Sequence, residues 1–323
     1  MQKRAVVLLN LGGPDSIEAV GPFLFNLFYD RRILDLPNPF RYLLARWISY
    51  KRCTEARSIY GRLGGKSPIL LETRKQAAAL CEVLGGGYEV FVAMRYWHPF
   101  IHESIPRLNS GEFSEVILLP LYPQFSSATS LSSIEQCLDL LRVPTRVVCC
   151  YYSHPLFIEA HVEMILSYYN VALDFGKPVI LFSAHGLPLK MVEEGDPYQF
   201  QIESCVERIV SRIGIKELDW EICYQSKVGG RKWLEPDTIT VIKKYSNRSL
   251  VVVPIAFVSE HSETLVELDL EYSVLAEHFF RVPALSVHAK FVECLAQLCS
   301  EPSQGATCPI GCKQCFRRYS SRT

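Results

Sequence analysis

Residues 116–136 read VILLPLYPQFSSATSLSSIEQ, and residues 250–269 read LVVVPIAFVSEHSETLVELD. Aligning Pro120 with Pro254 gives the same order twice: an apolar run, a polar loop and an amphipathic segment. Each apolar run is continuous rather than alternating, as expected of a parallel strand buried on both faces. The first copy fills its loop with serine and threonine; the second fills it with carboxylates and a histidine. A second echo pairs VVLLNLGGP (6–14) with VILFSAHGLP (179–188), at the start of each half. The chain therefore reads as two α/β domains of related, doubly wound design.

Working outward, strands are predicted at Ala5–Asn10, Tyr88–Met94, Glu115–Leu121, Arg146–Tyr152, Pro178–Ser183, Trp220–Gln225, Leu250–Phe257 and Ala284–Val287. Helical patterns cover Ile69–Leu84, Leu156–Tyr169, Gln201–Ile213 and Glu263–Phe279. Four strands fall in each half, so each domain is expected to carry a four-stranded parallel sheet. The expected division is 1–160, 161–300 and a cysteine-bearing tail at 301–323.

Composition narrows the function. The 323 residues balance 34 basic against 34 acidic side chains and contain no dense basic run, which argues against nucleic acid as a partner. The longest apolar runs are too short to span a bilayer. A strand-like AVVLLN follows Met1 almost at once, leaving no room for a signal or transit peptide, so a cytoplasmic location, or a targeting segment already removed, is expected. Most of the 12 cysteines sit singly inside apolar segments and read as free thiols of a reducing compartment.

Ligands of such sheets sit beyond the carboxyl ends of the strands. The segments there include NLGGPD (10–15), MRYWHP (94–99), SAHGLP (183–188), YQSKVGGRKW (224–233) and FVSEHSET (257–264). In the last, Glu263, Glu267 and Glu271 recur every fourth residue, on one helix face, with Glu260 and His261 at its start. Carboxylates with one imidazole suit Fe²⁺, Co²⁺ or Zn²⁺ better than Mg²⁺. A solvated acidic face is the alternative, weakened by the lack of lysine or arginine within Glu263–Glu277. His185 ends an apolar strand at a Gly-Pro turn, a place for a proton acceptor near neutral pH.

YGRLGGKS (60–67) imitates a phosphate loop, but Tyr60 stands where that loop needs glycine, and NLGGPD lacks dinucleotide spacing. No nucleotide is expected; the glycines would instead let backbone approach a flat ligand. In the tail, Cys308, Cys312 and Cys315 form C-x₃-C-x₂-C, which points to an iron–sulfur cluster or zinc. Cys299 is the nearest candidate for a fourth ligand, with Cys294, Cys149 and Cys150 as others. Near the start, Phe23, Leu24, Leu27 and Phe28 on helical spacing make either core or an apolar lip.

Taken in order, NLGGPD, GGKSPI, RYWHP, LYPQFS, SAHGLP, GDPY, QSKVG and PIAFVSEHSETLVELDLEY closely resemble the ferrochelatase family, from Asn10 to about Phe291. That resemblance implies two Rossmann-like domains without nucleotide and insertion of Fe²⁺, as substrate, into protoporphyrin IX to give protohaem. It implies that His185 and Glu263 act as a unit on pyrrole protons and metal, and that Glu260, His261, Glu267 and Glu271 line a path for metal or protons. It assigns the porphyrin grip to Asn10, Leu11, Arg95, Tyr96, Ser67, Tyr60, Trp233 and Phe257, a propionate to Arg52, and the lip to Leu24, Leu27 and Ile33. It implies a peripheral membrane contact through that lip and leaves a homodimer open. The tail resembles the 2Fe–2S pattern of cluster-bearing members with altered spacing, and Ser126 and Ser127 stand where those members place an internal cysteine. A coproporphyrin or other tetrapyrrole chelatase is the second reading, and a non-catalytic porphyrin or haem carrier the third.

Overall fold

The computed structural model describes residues 2–227, 230 and 232–300. Contacts divide these into two compact units, one of residues 2–121, 126–149 and 296–300, the other of 122–125 and 150–295.

The first unit runs β1 (Lys3–Asn10), α1 (Val20–Tyr29), α2 (Phe40–Arg62), α3 (Ile69–Leu84), β2 (Tyr88–Met94), α4 (Ile101–Leu108) and β3 (Phe113–Pro120). A one-turn π-helix π1 (Ser127–Leu131), α5 (Ser132–Leu138) and β4 (Thr145–Val147) complete it. The second unit runs α6 (Pro155–Ala172), β5 (Val179–His185), α7 (Leu189–Glu193), α8 (Tyr198–Ile213), β6 (Asp219–Gln225), α9 (Thr238–Lys244) and β7 (Ser249–Pro254). A long π-helix π2 (Glu263–Tyr272), β8 (His278–Arg281) and the start of α10 (Ala289–Ser300) follow.

Local chemistry accounts for these elements. Residues 5–10 of β1 and all of β7 are buried, as their unbroken apolar sequence requires. α3 buries Ile69, Thr73, Gln76 and Leu80, one stripe at helical spacing, and Gly85 at φ +70° ends it. Pro155 opens α6 at a position where no backbone donor is lost. Asp237 caps α9 by accepting from the amides of Ile239 and Thr240.

Both sheets are parallel and share one plan, β2-β1-β3-β4 and β6-β5-β7-β8. Leu9 pairs with Pro120 in the first, and Ser183 with Pro254 in the second. The two prolines aligned by sequence thus occupy equivalent register positions, and a π-helix follows each.

Three expectations need correction. The last strand is His278–Arg281, not Ala284–Val287, and it pairs with β7 through Leu250–Phe279. The helix at 263 therefore stops at Tyr272, with a single 3₁₀ turn to Leu275, rather than reaching Phe279. β4 pairs only over Thr145–Val147; the chain from Val148 to Tyr152 is buried and non-strand, with the Val148 amide donating to Leu118 and the Tyr151 amide to Pro123.

The NLGGP glycines serve the chain itself. A Cβ on Gly12 (φ +86°) would lie 3.0 Å from Met94 Cβ, and one on Gly13 would lie 2.5 Å from Ser67 Cβ. Close approach by neighbouring segments of the same unit therefore requires both glycines.

Candidate active site

In the second unit, β5, β6 and β7 bring His185, Gln225 and the loop after Pro254 to one sheet edge. His185 Nδ1 lies 2.6 Å from the carbonyl oxygen of Gly186. A carbonyl only accepts, so Nδ1 carries a proton and Nε2 is the ring nitrogen that faces Glu263. That Nε2 stands 3.8 Å from Glu263 Oε1, and His261 Nε2 lies 3.4 Å from Glu263 Oε2. One carboxylate thus sits between two imidazoles. The Phe257 ring packs 4.5 Å from the His261 ring and 6.4 Å from that of His185, centroid to centroid, giving the group an apolar wall.

The two π-helix acids are driven apart. Burial pushes Glu263 up, but the charges of His185 and His261 and a hydrogen bond from His261 outweigh it, so its carboxyl sits well below the usual range. Glu267 moves the other way, raised by burial and then by the charge on Glu263, against hydrogen bonds from Ser226 and Gln225. Adjacent carboxyls with opposed proton affinities are the pattern of sites that move protons.

The acidic stripe is less uniform than its spacing predicts. Glu260 is not an open ligand: Oε1 accepts from Arg281 Nη1 at 2.8 Å and from the Ala284 amide at 2.9 Å, and Oε2 accepts from Thr264. Arg281 also takes Asp269, so the basic partner missing from the helix comes from β8. Glu271 is exposed at the far end. Among the described residues, no three histidine, cysteine or acidic side chains are gathered to hold a metal ion. Trp233 packs over Gly186, where its ring would be 3.3 Å from an added Cβ.

The remaining grip residues belong to the first unit. Leu24, Tyr60 and Tyr96 are buried in one cluster with Val20 and Phe23, and Leu11, Leu27 and Ile33 pack against it half-buried. Tyr96 is only 1% exposed and donates its hydroxyl to Asp30 at 2.8 Å. Arg95 pairs with the same carboxylate at 2.8 Å and donates to Ser132 at 2.7 Å. Tyr96 is therefore part of the core, and Arg95 is an ion-pair partner of Asp30. Asn10 is likewise buried, donating to Thr73 and accepting from the Leu11 amide. Ser67 accepts from the Ile69 amide, and Arg52 lies over the Phe28 ring at 5.7 Å.

The nine described cysteines are all free thiols. Cys308, Cys312 and Cys315 lie outside the described residues. Cys299 is fully buried at the end of α10, and burial, opposed by Arg146, pushes its thiol up to about 12. Sequence reasoning missed two features: the π-helical winding and the bonds from Gln225 to the Glu263 carbonyl and to Glu267.

Solved structures agree on the class. CbiX, the terminal enzyme for biosynthesis of siroheme in denitrifying bacteria, matches with TM-score 0.52 and 11% identity over 92% of this chain and 97% of its own. A multidomain Deinococcus radiodurans protein with structural similarity to chelatases matches with TM-score 0.55 and 12% identity over 94% of this chain and 56% of its own. The fold is thus that of the α/β chelatases.

Sequence comparison is more specific. The ferrochelatase family model matches residues 3–303. A ferrochelatase of Wolbachia from Drosophila simulans is 53% identical, covering 92% of this chain and 98% of its own, and one from Rickettsia bellii is 46% identical, covering 91% and 85%. The chain belongs to the ferrochelatase family.

Proposed function

We propose that this protein inserts ferrous iron into protoporphyrin IX, releasing both pyrrole protons, as a lyase of haem biosynthesis. The observation that carries the chemistry is the Glu263 carboxylate set between His185 and His261. In its neutral form, with Nδ1–H bonded to the Gly186 carbonyl, His185 offers Nε2 to accept a pyrrole proton. Glu263, held as an anion, stabilises the imidazolium that forms. Glu267, whose carboxyl favours its proton, is the next acceptor along π2. Phe257 keeps water from that exchange, and the half-buried Leu11, Leu27, Ile33 and Arg52 support a porphyrin-gripping role for the first unit.

A peripheral membrane contact is supported by an exposed stripe on α2. Phe40, Leu43, Trp47 and Tyr50 follow a three-four-three spacing and are 59–79% exposed, with Arg41, Arg46 and Lys51 interleaved. No helix among the described residues is long and apolar enough to cross a membrane. Cosedimentation with anionic vesicles that Trp47→Glu abolishes supports this contact; a homodimer that the same change dissociates replaces it. The C-x₃-C-x₂-C tail supports a structural 2Fe–2S or zinc site, with Cys299 as the nearest described candidate for a fourth ligand, and the free thiols support a cytoplasmic location.

The deciding experiment is anaerobic insertion of Fe²⁺ into protoporphyrin IX and, in parallel, coproporphyrin III. Turnover on protoporphyrin supports the reading, preference for coproporphyrin reassigns the substrate, and tight porphyrin binding without turnover leaves a carrier.

A further inference from the structure

Gln225 is fully buried at the end of β6, in register with His185. Its backbone carbonyl accepts the Gly186 amide at 2.8 Å, and Gly186 is the residue whose carbonyl fixes the His185 ring. A Cβ on Gly186 would come within 2.9 Å of that same Gln225 oxygen, so the turn rests directly on β6. The Gln225 side chain reaches the other partner. Its Nε2 donates to the Glu263 carbonyl at 2.9 Å and to Glu267 Oε2 at 3.2 Å.

The amide itself is oriented from behind. Oε1 accepts from the Ser183 hydroxyl at 2.8 Å, and Ser183 in turn meets Thr238 Oγ1 at 3.0 Å; both residues are fully buried. This fixes which end of the amide is donor. The next residue, Ser226, adopts φ +63° and donates its hydroxyl to Glu267 Oε2 at 2.6 Å. A left-handed conformation in a non-glycine residue is held by its surroundings, here by the bond to Glu267.

We propose that Gln225 is a positioning residue that sets the His185–Glu263 separation. Its backbone holds the turn carrying the imidazole, and its side chain holds the first π-turn carrying the carboxylate. Ser183 and Thr238 orient it, and Ser226 extends the same hold to Glu267. The Glu263 carbonyl, at the start of π2, thus accepts a side-chain donor from β6.

The inference rests on the chelatase reading, and its test separates the two. Gln225→Met keeps length and burial but removes both donors and the acceptor. With unmodified protein active on Fe²⁺ and protoporphyrin IX, the variant is expected to lose about ten- to a hundredfold in kcat, while porphyrin KM and fluorescence-detected porphyrin binding stay within about twofold. Ser183→Ala, which removes only the orienting donor, is expected to lose about two- to fivefold in kcat with KM unchanged. Folded Gln225→Met with full kcat overturns the inference. A fall matched by lost porphyrin binding also overturns it, in favour of a general structural role. Should Gln225→Met fail to fold, full kcat in Ser183→Ala overturns it. Inactive unmodified protein instead defeats the chelatase reading.

Discussion

Arg281 Nη1 lies 2.8 Å from Glu260 Oε1, both side chains being largely buried. The same guanidinium reaches Asp269 through Nε. Glu260, expected on a path for metal or protons, is thus bonded to Arg281 of β8, which also holds Asp269 of π2. Burial pushes the Glu260 carboxyl up, but Arg281 and three hydrogen bonds outweigh it and hold it low. The pair thus contributes stability above the ordinary carboxylate value of 4.5 and loses it as pH falls through the lower folded value. Arg281→Leu, which strands two carboxylates, is expected to cost about 3 kcal/mol in urea denaturation at pH 7. Glu260→Gln should cost less and leave the iron KM unchanged. A large rise in iron KM in that variant would restore Glu260 to the metal path.

The Asp30 carboxylate collects Arg95, Tyr96, Ser132 and the Arg32 amide, and so ties the loop after α1 to the end of β2. Arg95→Leu removes the charge partner of a carboxylate that is almost fully buried. It is expected to lower unfolding free energy by roughly 3 kcal/mol. Porphyrin affinity of the folded fraction should change little. A stable variant with strongly weakened porphyrin binding would return Arg95 to the ligand wall.

His161 on α6 is buried, neither ring nitrogen has a hydrogen-bond partner, and its ring packs edge-on against Phe157 at 4.7 Å. Burial, with a smaller contribution from the charge of His288, lowers its pKa from 6.5 to about 3. The folded state keeps the ring neutral while the unfolded chain takes up a proton below 6.5, so stability falls as pH drops through that window. The slope from this group approaches about 1.4 kcal/mol per pH unit. His161→Leu should flatten the stability–pH curve between pH 6 and 4.5; an unchanged slope would assign the acid sensitivity elsewhere.

Much of this was legible in the sequence because apolar runs and strand-end motifs are local signals. β2 and α3 fall where predicted, and the Pro120–Pro254 echo anticipated equivalent sheet registers. The strand at His278–Arg281 was hidden because SVLAE before it extends a helical pattern, and only pairing with β7 makes the next four residues a strand. The π-helix was hidden because ten residues with acids every fourth position suit either winding. Arg281 was missed as a partner because helix-local reasoning looks three or four residues away, whereas this contact spans 12 and 21. The contacts of Tyr96 and Arg95 with Asp30 were hidden because motif position says nothing of burial.

The most direct test compares anaerobic iron insertion by unmodified protein and by Glu263→Gln, with porphyrin binding and thermal stability measured on the same samples. Glutamine keeps the shape between His185 and His261 but removes the charge. The account predicts that kcat falls by about a hundredfold or more while porphyrin binding and the folded state persist. Turnover undiminished in Glu263→Gln would contradict it.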